Sequence, residues 1–204
     1  MDLFYGRDQK LKGCLETSLS QNVSFLEKAF SQCNDMVKKE FLAGTEKNLQ
    51  VYLIYTDGLT KTDMIEESIL RPLLNKEILN RKGEELYQYV YKEVLEMADL
   101  KEVTDFEEVV TQVLSGNTIL LLDTCPKGIL ISSKMFPSRG VQTADQEASM
   151  RGSKDSFTES LRSNTALIRR RIRDSRLKAE QLTVGERSKT DVVLMYMEDL
   201  VKEG

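Results

Sequence analysis

The order helix, strand, glycine turn, strand occurs twice in this chain, and that repetition restricts the possible fold more than any other feature of the sequence. With Gly44 laid on Gly185, Val51 falls on Val192, Leu53 on Leu194, Tyr55 on Tyr196, Asp57 on Glu198 and Leu59 on Leu200, all at one offset. Buried strands resemble one another, so it is the shared order and the shared glycine that indicate a duplicated α/β unit. In the first copy Val23, Leu26, Phe30 and Cys33 fall at helical spacing from Asn22, behind a capping Ser20. Met36 to Ala43 then reads as a charged edge strand, Gly44 to Asn48 as a turn and Val51 to Tyr55 as a buried strand. In the second copy a helix is expected from Phe157, with Leu161, Leu167, Ile168 and Ile172 apolar. A strand over 177–184, a turn over 185–189 and a buried strand over 192–196 follow.

Further elements fill out the first copy. After Asp57-Gly58 a helix carries Ile65, Ile69, Leu73 and Leu74, and Pro72 is tolerable in it only as a kink or at a helix start. Leu86, Tyr89, Val90 and Val94 give a second amphipathic stretch, and a third helix begins near Asp105, uses Phe106, Val109, Val110 and Val113, and ends at Ser115-Gly116-Asn117. Strands over 118–123 and 129–132 meet around Pro126-Lys127-Gly128. The expected fold class is therefore α/β in the mixed α+β sense, with two related subdomains, each a small mixed sheet packed by helices. Residues 1–18 read as a frayed leader, 19–137 as the first subdomain, 138–155 as a polar connector and 156–204 as the opening of the second. Because the second hairpin lacks the helices and later strands of the first, the second subdomain is read as incomplete, with the natural protein continuing past Gly204.

With 30% charged and 40% hydrophobic residues among 204, the chain has the composition of a protein that folds in water. Its longest purely aliphatic run, Ile119 to Leu122, is far short of a membrane span, and Met1-Asp2-Leu3-Phe4 lacks the features of a signal peptide. Three widely spaced cysteines, Cys14, Cys33 and Cys125, read as reduced thiols of a cytosolic compartment. The absence of histidine removes the commonest general base and transition-metal ligand together, so zinc sites and Ser-His or Cys-His catalysis are excluded. No nucleotide-binding glycine loop occurs. Ser175-Arg176-Leu177-Lys178 matches SxxK without its companion elements and reads as coincidence. The acidic pairs at 66–67, 84–85 and 107–108 read as solvated helix faces, and Tyr87 and Tyr91 as core or seam aromatics. No catalytic, metal-binding or cofactor residue is assigned, and the chain is not expected to be an enzyme.

Charge is unevenly spread. Residues 151–178 carry a net +6 and the remainder −10, which gives the overall −4. The run Arg169-Arg170-Arg171-x-Arg173-x-x-Arg176 is the centre of that asymmetry, and Glu66, Glu84 and Glu107 are carboxylates that it could meet. Three roles remain open for it: a solvated face, an ion-paired interface within or between chains, or a nucleic-acid contact, the last made less favourable by the lack of interleaved aromatics.

Around this run the sequence resembles GerA-type spore germination proteins. The likeness rests on Phe136-Pro137-Ser138-Arg139-Gly140-Val141, Glu147, Arg151-Gly152, Phe157-Thr158-Glu159-Ser160-Leu161, Asn164 to Ile172, Val184-Gly185 and Thr190. It extends more loosely to Val51–Leu59, Ile69 to Leu73 and Leu114 to Asp123. Thr143-Ala144 and Ser153 depart from the prolines usual in the family, which implies a more flexible connector and leaves open a nutrient receptor subunit or a later-acting paralogue. The resemblance implies the N-terminal part of a receptor A subunit, on the cytosolic side of the spore inner membrane and ahead of membrane helices beyond Gly204. There it would act in assembly and in nutrient-triggered gating of ion release, with B- and C-type subunits and further copies of itself as partners and with no cofactor. It marks Arg139, Glu147, Arg151, Gly152, Phe157, Glu159, Asn164, Arg169, Arg170, Arg171 and Arg173 as interaction residues. The rival readings are a nucleic-acid-binding module built on the arginine helix and a two-lobed module that closes on a small solute.

Overall fold

The computed structural model describes residues 13–78, 81–135 and 156–201. A five-stranded sheet, ordered β1-β2-β4-β5-β3, forms the centre of the first part. Its strands are β1 (Met36–Ala43), β2 (Leu49–Thr56), β3 (Leu100–Val103), β4 (Thr118–Leu122) and β5 (Gly128–Ile131). Every neighbouring pair is antiparallel, where a mixed sheet was expected.

Alternation along the strands sends side chains to two cores. On one face Tyr52, Ile54, Ile119 and Leu121 pack with Leu26 and Phe30 from around α1 (Leu19–Ala29) and with Val109 and Val113 of α5 (Phe106–Leu114). On the other, Val51, Leu53, Leu120 and Ile129 meet Ile69, Leu73, Leu86 and Val90. That second cover consists of α2 (Thr62–Ile65), a π turn over Glu66–Leu70 and α3 (Arg71–Asn75), followed by α4 (Gly83–Tyr89) and a π turn over Val90–Val94. The first π turn accounts for Pro72. Proline lacks a donor and its ring collides with the carbonyl four residues earlier, and a widened turn immediately upstream moves that carbonyl aside. Strand β4, central in the sheet, is buried along its whole length, as a strand covered on both faces must be.

The remaining described residues form α6 (Leu161–Arg171) and an antiparallel hairpin of β6 (Leu177–Val184) and β7 (Thr190–Met197). The hairpin reproduces the first one in register. Met36 pairs with Thr56 and Ala43 with Leu49, and at the same offset Leu177 pairs with Met197 and Val184 with Thr190. Gly44 and Gly185, which begin the two turns, both have φ near +90°, at 85° and 90°. α1 and α6 each span 11 residues.

Several expectations are corrected. Residues 13–18 are not frayed: Leu15 is buried and donates its N–H to the Thr104 carbonyl, so it belongs to the core beside α5, while residues 1–12 lie outside the described residues. α1 begins at Leu19, ahead of the expected Asn22. β3 was not anticipated, because Leu100-Lys101-Glu102-Val103 has only its last residue buried and borrows its strand character from β5. α6 begins at Leu161 rather than Phe157, capped by the Ser160 side chain, which accepts from the Ser163 N–H. Phe157 stays 67% exposed. Strand 192–196 is not buried: Val192 and Leu194 are 41% and 54% exposed, because among the described residues nothing packs on their face. The connector 138–155 lies outside the described residues.

Candidate functional site

The second hairpin and α6 rest on the loop that precedes β1 and on the turn that follows β2, and the seam between them is polar. β6 docks edge-on. The Asn34 N–H donates to the Ala179 carbonyl (2.9 Å), the Ala179 N–H to the Gln32 carbonyl (3.0 Å), and the Gln181 N–H to Asn34 Oδ1 (3.1 Å). These bonds continue the ladder for a short distance as a parallel bridge between Cys33 and Ala179.

The face of α6 that meets the seam is formed by Thr165, Ala166 and Arg169, with the expected apolar residues Leu161, Leu167 and Ile168 only half-buried. Arg169 has no exposed side-chain surface. Its Nε and Nη2 donate to Asp35 Oδ2 (2.8 Å) and Oδ1 (2.9 Å), and its Nη1 to the carbonyls of Leu177 (2.8 Å) and Asp174 (3.2 Å). A bidentate fork with further donors placed on carbonyls is the arrangement that lets a guanidinium be buried. Arg162 makes a more open pair with Asp57 (2.7 Å). Gly58, at φ +76°, brings the turn against α6: a Cβ there would lie 3.0 Å from the Arg162 carbonyl and 3.1 Å from the Ala166 methyl. Arg176 binds Asp174 and Asp199, and its hydrogen bonds hold the Asp174 carboxyl below the usual carboxylate range.

A cavity of about 190 Å³ remains in this seam, lined by Asn34, Asp35, Asp57, Arg162, Thr165 and Gln181 with Leu161, Ala179 and Val193. Its polar lining offers acceptors and one guanidinium within a small volume. Beside it lies Cys33, whose thiol is pushed up by burial despite the nearby Arg169 and Lys178. Lys178, itself buried, reaches Ser31 Oγ (3.5 Å) and Glu198 (3.4 Å). The SxxK match therefore uses its lysine in packing the hairpin. Among the described residues no group of three or more potential ligands is placed to hold a metal ion.

The residues singled out from the sequence are thus distributed unequally. Arg139, Glu147, Arg151 and Gly152 lie outside the described residues. Phe157 and Glu159 are exposed ahead of α6. Asn164 ties that approach down, accepting from the Thr158 N–H (2.7 Å) and donating to its carbonyl (2.8 Å). Arg169 is the seam residue, Arg170 is half-buried, and Arg171 and Arg173 are exposed. Glu84, one of the carboxylates expected to meet the arginines, binds Lys127, while among the described residues Arg169 and Arg162 pair at the seam with Asp35 and Asp57. Both flank the first hairpin within turn-like sequence, Asn34-Asp35 and Asp57-Gly58, which signals a turn and conceals a docking role.

This arrangement, a three-layer sheet unit with a second hairpin repeating the first at its side, defines a class of domain that includes a solved structure. The N-terminal domain of the A subunit of the Bacillus megaterium spore germinant receptor GerK3 superposes with a TM-score of 0.73 at 22% identity, over 94% of this chain and 69% of that one. The family model described as Bacillus/Clostridium GerA spore germination protein matches residues 24–204. The chain belongs to the GerA spore germination protein family. Its relatives in Bacillus subtilis include stage V sporulation protein AF, 38% identical over 76% of this chain and 31% of that protein. Another is spore germination protein B1, 30% identical over 93% of this chain and 38% of that protein. A third is the uncharacterized membrane protein YfkQ, 31% identical over 91% of this chain and 35% of that protein. The chain thus spans about a third of the length of these relatives. No helix among the described residues is long and apolar enough to cross a membrane.

Proposed function

We propose that this domain is the cytosolic-side part of a spore inner-membrane germination receptor subunit, acting in assembly with B- and C-type subunits and in relaying a nutrient signal to ion release. The observation that carries this reading is the family match over residues 24–204, joined to relatives named as germination proteins. Membrane segments of the whole protein would belong to the two-thirds of the relatives' length that this chain does not span. Within the domain, Arg173 just past α6 is exposed, while Arg169 is committed to the seam, so Arg173 is a surface arginine that a partner's carboxylate can approach.

Spores carrying Arg173→Glu test the proposal. Co-purification of the other subunits in detergent should fall, and loss of optical density after nutrient addition should slow, with the protein still accumulated. Unchanged co-purification and germination would overturn the interface role, and salt-sensitive binding of the wild-type domain to duplex DNA would assign the arginines to phosphates instead.

The seam cavity favours a second reading, in which a small polar solute binds between the two parts. Its carboxylates and guanidinium suit a ligand that carries both an amine and an acid. A rise in melting temperature that saturates with added solute, and is lost in Asp57→Asn, is the expected result.

A further inference from the structure

Besides side-chain bonds from Lys178 to Ser31, Tyr196 to Gln32 and Cys33 to the Leu177 carbonyl, the seam contacts include two geometrically different sets. One is a line along the edge of β6, made by Ala179 and Gln181 with Gln32 and Asn34. A line of contacts permits rotation about itself. The other set lies off that line, on α6: the Arg162–Asp57 pair, the close approach of Ala166 to Gly58, and the Arg169–Asp35 fork. Of these, Arg162 is 66% exposed and its pair is screened by water, and Ala166 offers a single methyl. The fork is the one contact of the set that is bidentate and nearly desolvated, with Arg169 wholly buried and Asp35 7% exposed. It also reads both sides of the joint at once, since the same guanidinium that grips Asp35 holds the carbonyls of Asp174 and Leu177 at the entrance to β6.

We infer that the Asp35–Arg169 fork is a latch. It fixes the angle at which α6 and the second hairpin sit on the five-stranded unit, and its release lets them turn about the Gln32–Asn34 bridge without either part unfolding. The polar character of the seam suits such a joint. Backbone and carboxylate groups uncovered by turning are rehydrated, and little apolar surface is exposed, so the turned state is not excluded by the hydrophobic effect. Arginine at this position is required for its shape as well as its charge, because a lysine cannot make the fork and reach two carbonyls together.

Paired spin labels on Glu46→Cys and Glu186→Cys, in the two hairpin turns and with Cys14→Ser to remove the exposed native thiol, report the angle as a distance. The unaltered joint should give one narrow distribution. Asp35→Asn, which keeps the side-chain size, should add a second distance holding on the order of a tenth or more of the molecules, with the far-ultraviolet circular dichroism unchanged. Arg169→Lys should do the same, and it decides the matter if Asp35→Asn does not fold. Arg162→Gln serves as the control and should leave the distribution narrow. A single unshifted distance in Arg169→Lys, whatever its melting temperature, would show that the fork only stabilises and would overturn the latch.

Discussion

At the scale of single residues, the fork and the glycine beneath it set the costs of change. Arg169→Ala removes one partner of a buried pair and leaves Asp35 desolvated, so a loss of about 3–5 kcal/mol in unfolding free energy is expected by denaturant titration. Gly58→Ala adds strain from a positive φ and pushes on the Arg162 carbonyl; about 1–3 kcal/mol is expected. The thiols give an independent check of burial. Cys33 and Cys125 are buried and their pKa values raised, Cys125 to about 11, so an alkylating reagent at neutral pH should modify the exposed Cys14 first and the others only on unfolding. Asp174 makes the acid limit testable. Its pKa is lowered by Arg176, so the stabilisation it gives is present above the unfolded carboxylate value and is lost as pH falls through the folded one. Asp174→Asn should therefore flatten the fall in melting temperature on acidification while lowering the plateau at neutral pH.

At the scale of elements, legibility followed how locally each one is determined. α5 was readable because its cap and its apolar face both lie in its own sequence: Asp105 accepts from the Glu108 N–H, and Phe106, Val109, Val110 and Val113 form one stripe. Asp105→Ala should cost about 1 kcal/mol in thermal unfolding, with little change in the helix content of the folded state. β3 was not readable, since Lys101 and Glu102 carry no strand preference and the pairing that orders them comes from β5. The start of α6 was misplaced by four residues because Phe157 looked like the first apolar position, when Ser160 and the Asn164 clasp on Thr158 fix the turn instead. The arginine run left three roles open, an ion-paired interface among them, and Arg169 is ion-paired in the structure. Its carboxylates were not legible, because Asp35 is 134 positions from Arg169 and no periodicity links them.

At the scale of the whole molecule, the repeat makes the two hairpins a controlled comparison. Val51 and Leu53 are buried under α2 to α4, whereas Val192 and Leu194, at the same places in the second hairpin, face outward together with Leu182. We propose that in the full-length protein chain beyond this domain covers that face as α2 to α4 cover the first. Lengthening the domain should then raise its melting temperature and suppress self-association, and an unchanged melting temperature and oligomeric state would count against it. The pairing of β7 has a consequence for cooperativity. β2 is bonded on one side to β1 and on the other to β4, whereas among the described residues β7 is bonded to β6 alone. Every second amide of β7 therefore points away from its partner strand. In deuterated water those amides should exchange through local opening, orders of magnitude sooner than their counterparts in β2, which are released only when the sheet unfolds globally. Identical positions in a repeated sequence would then keep time on two different clocks, set by neighbours and not by the residues themselves.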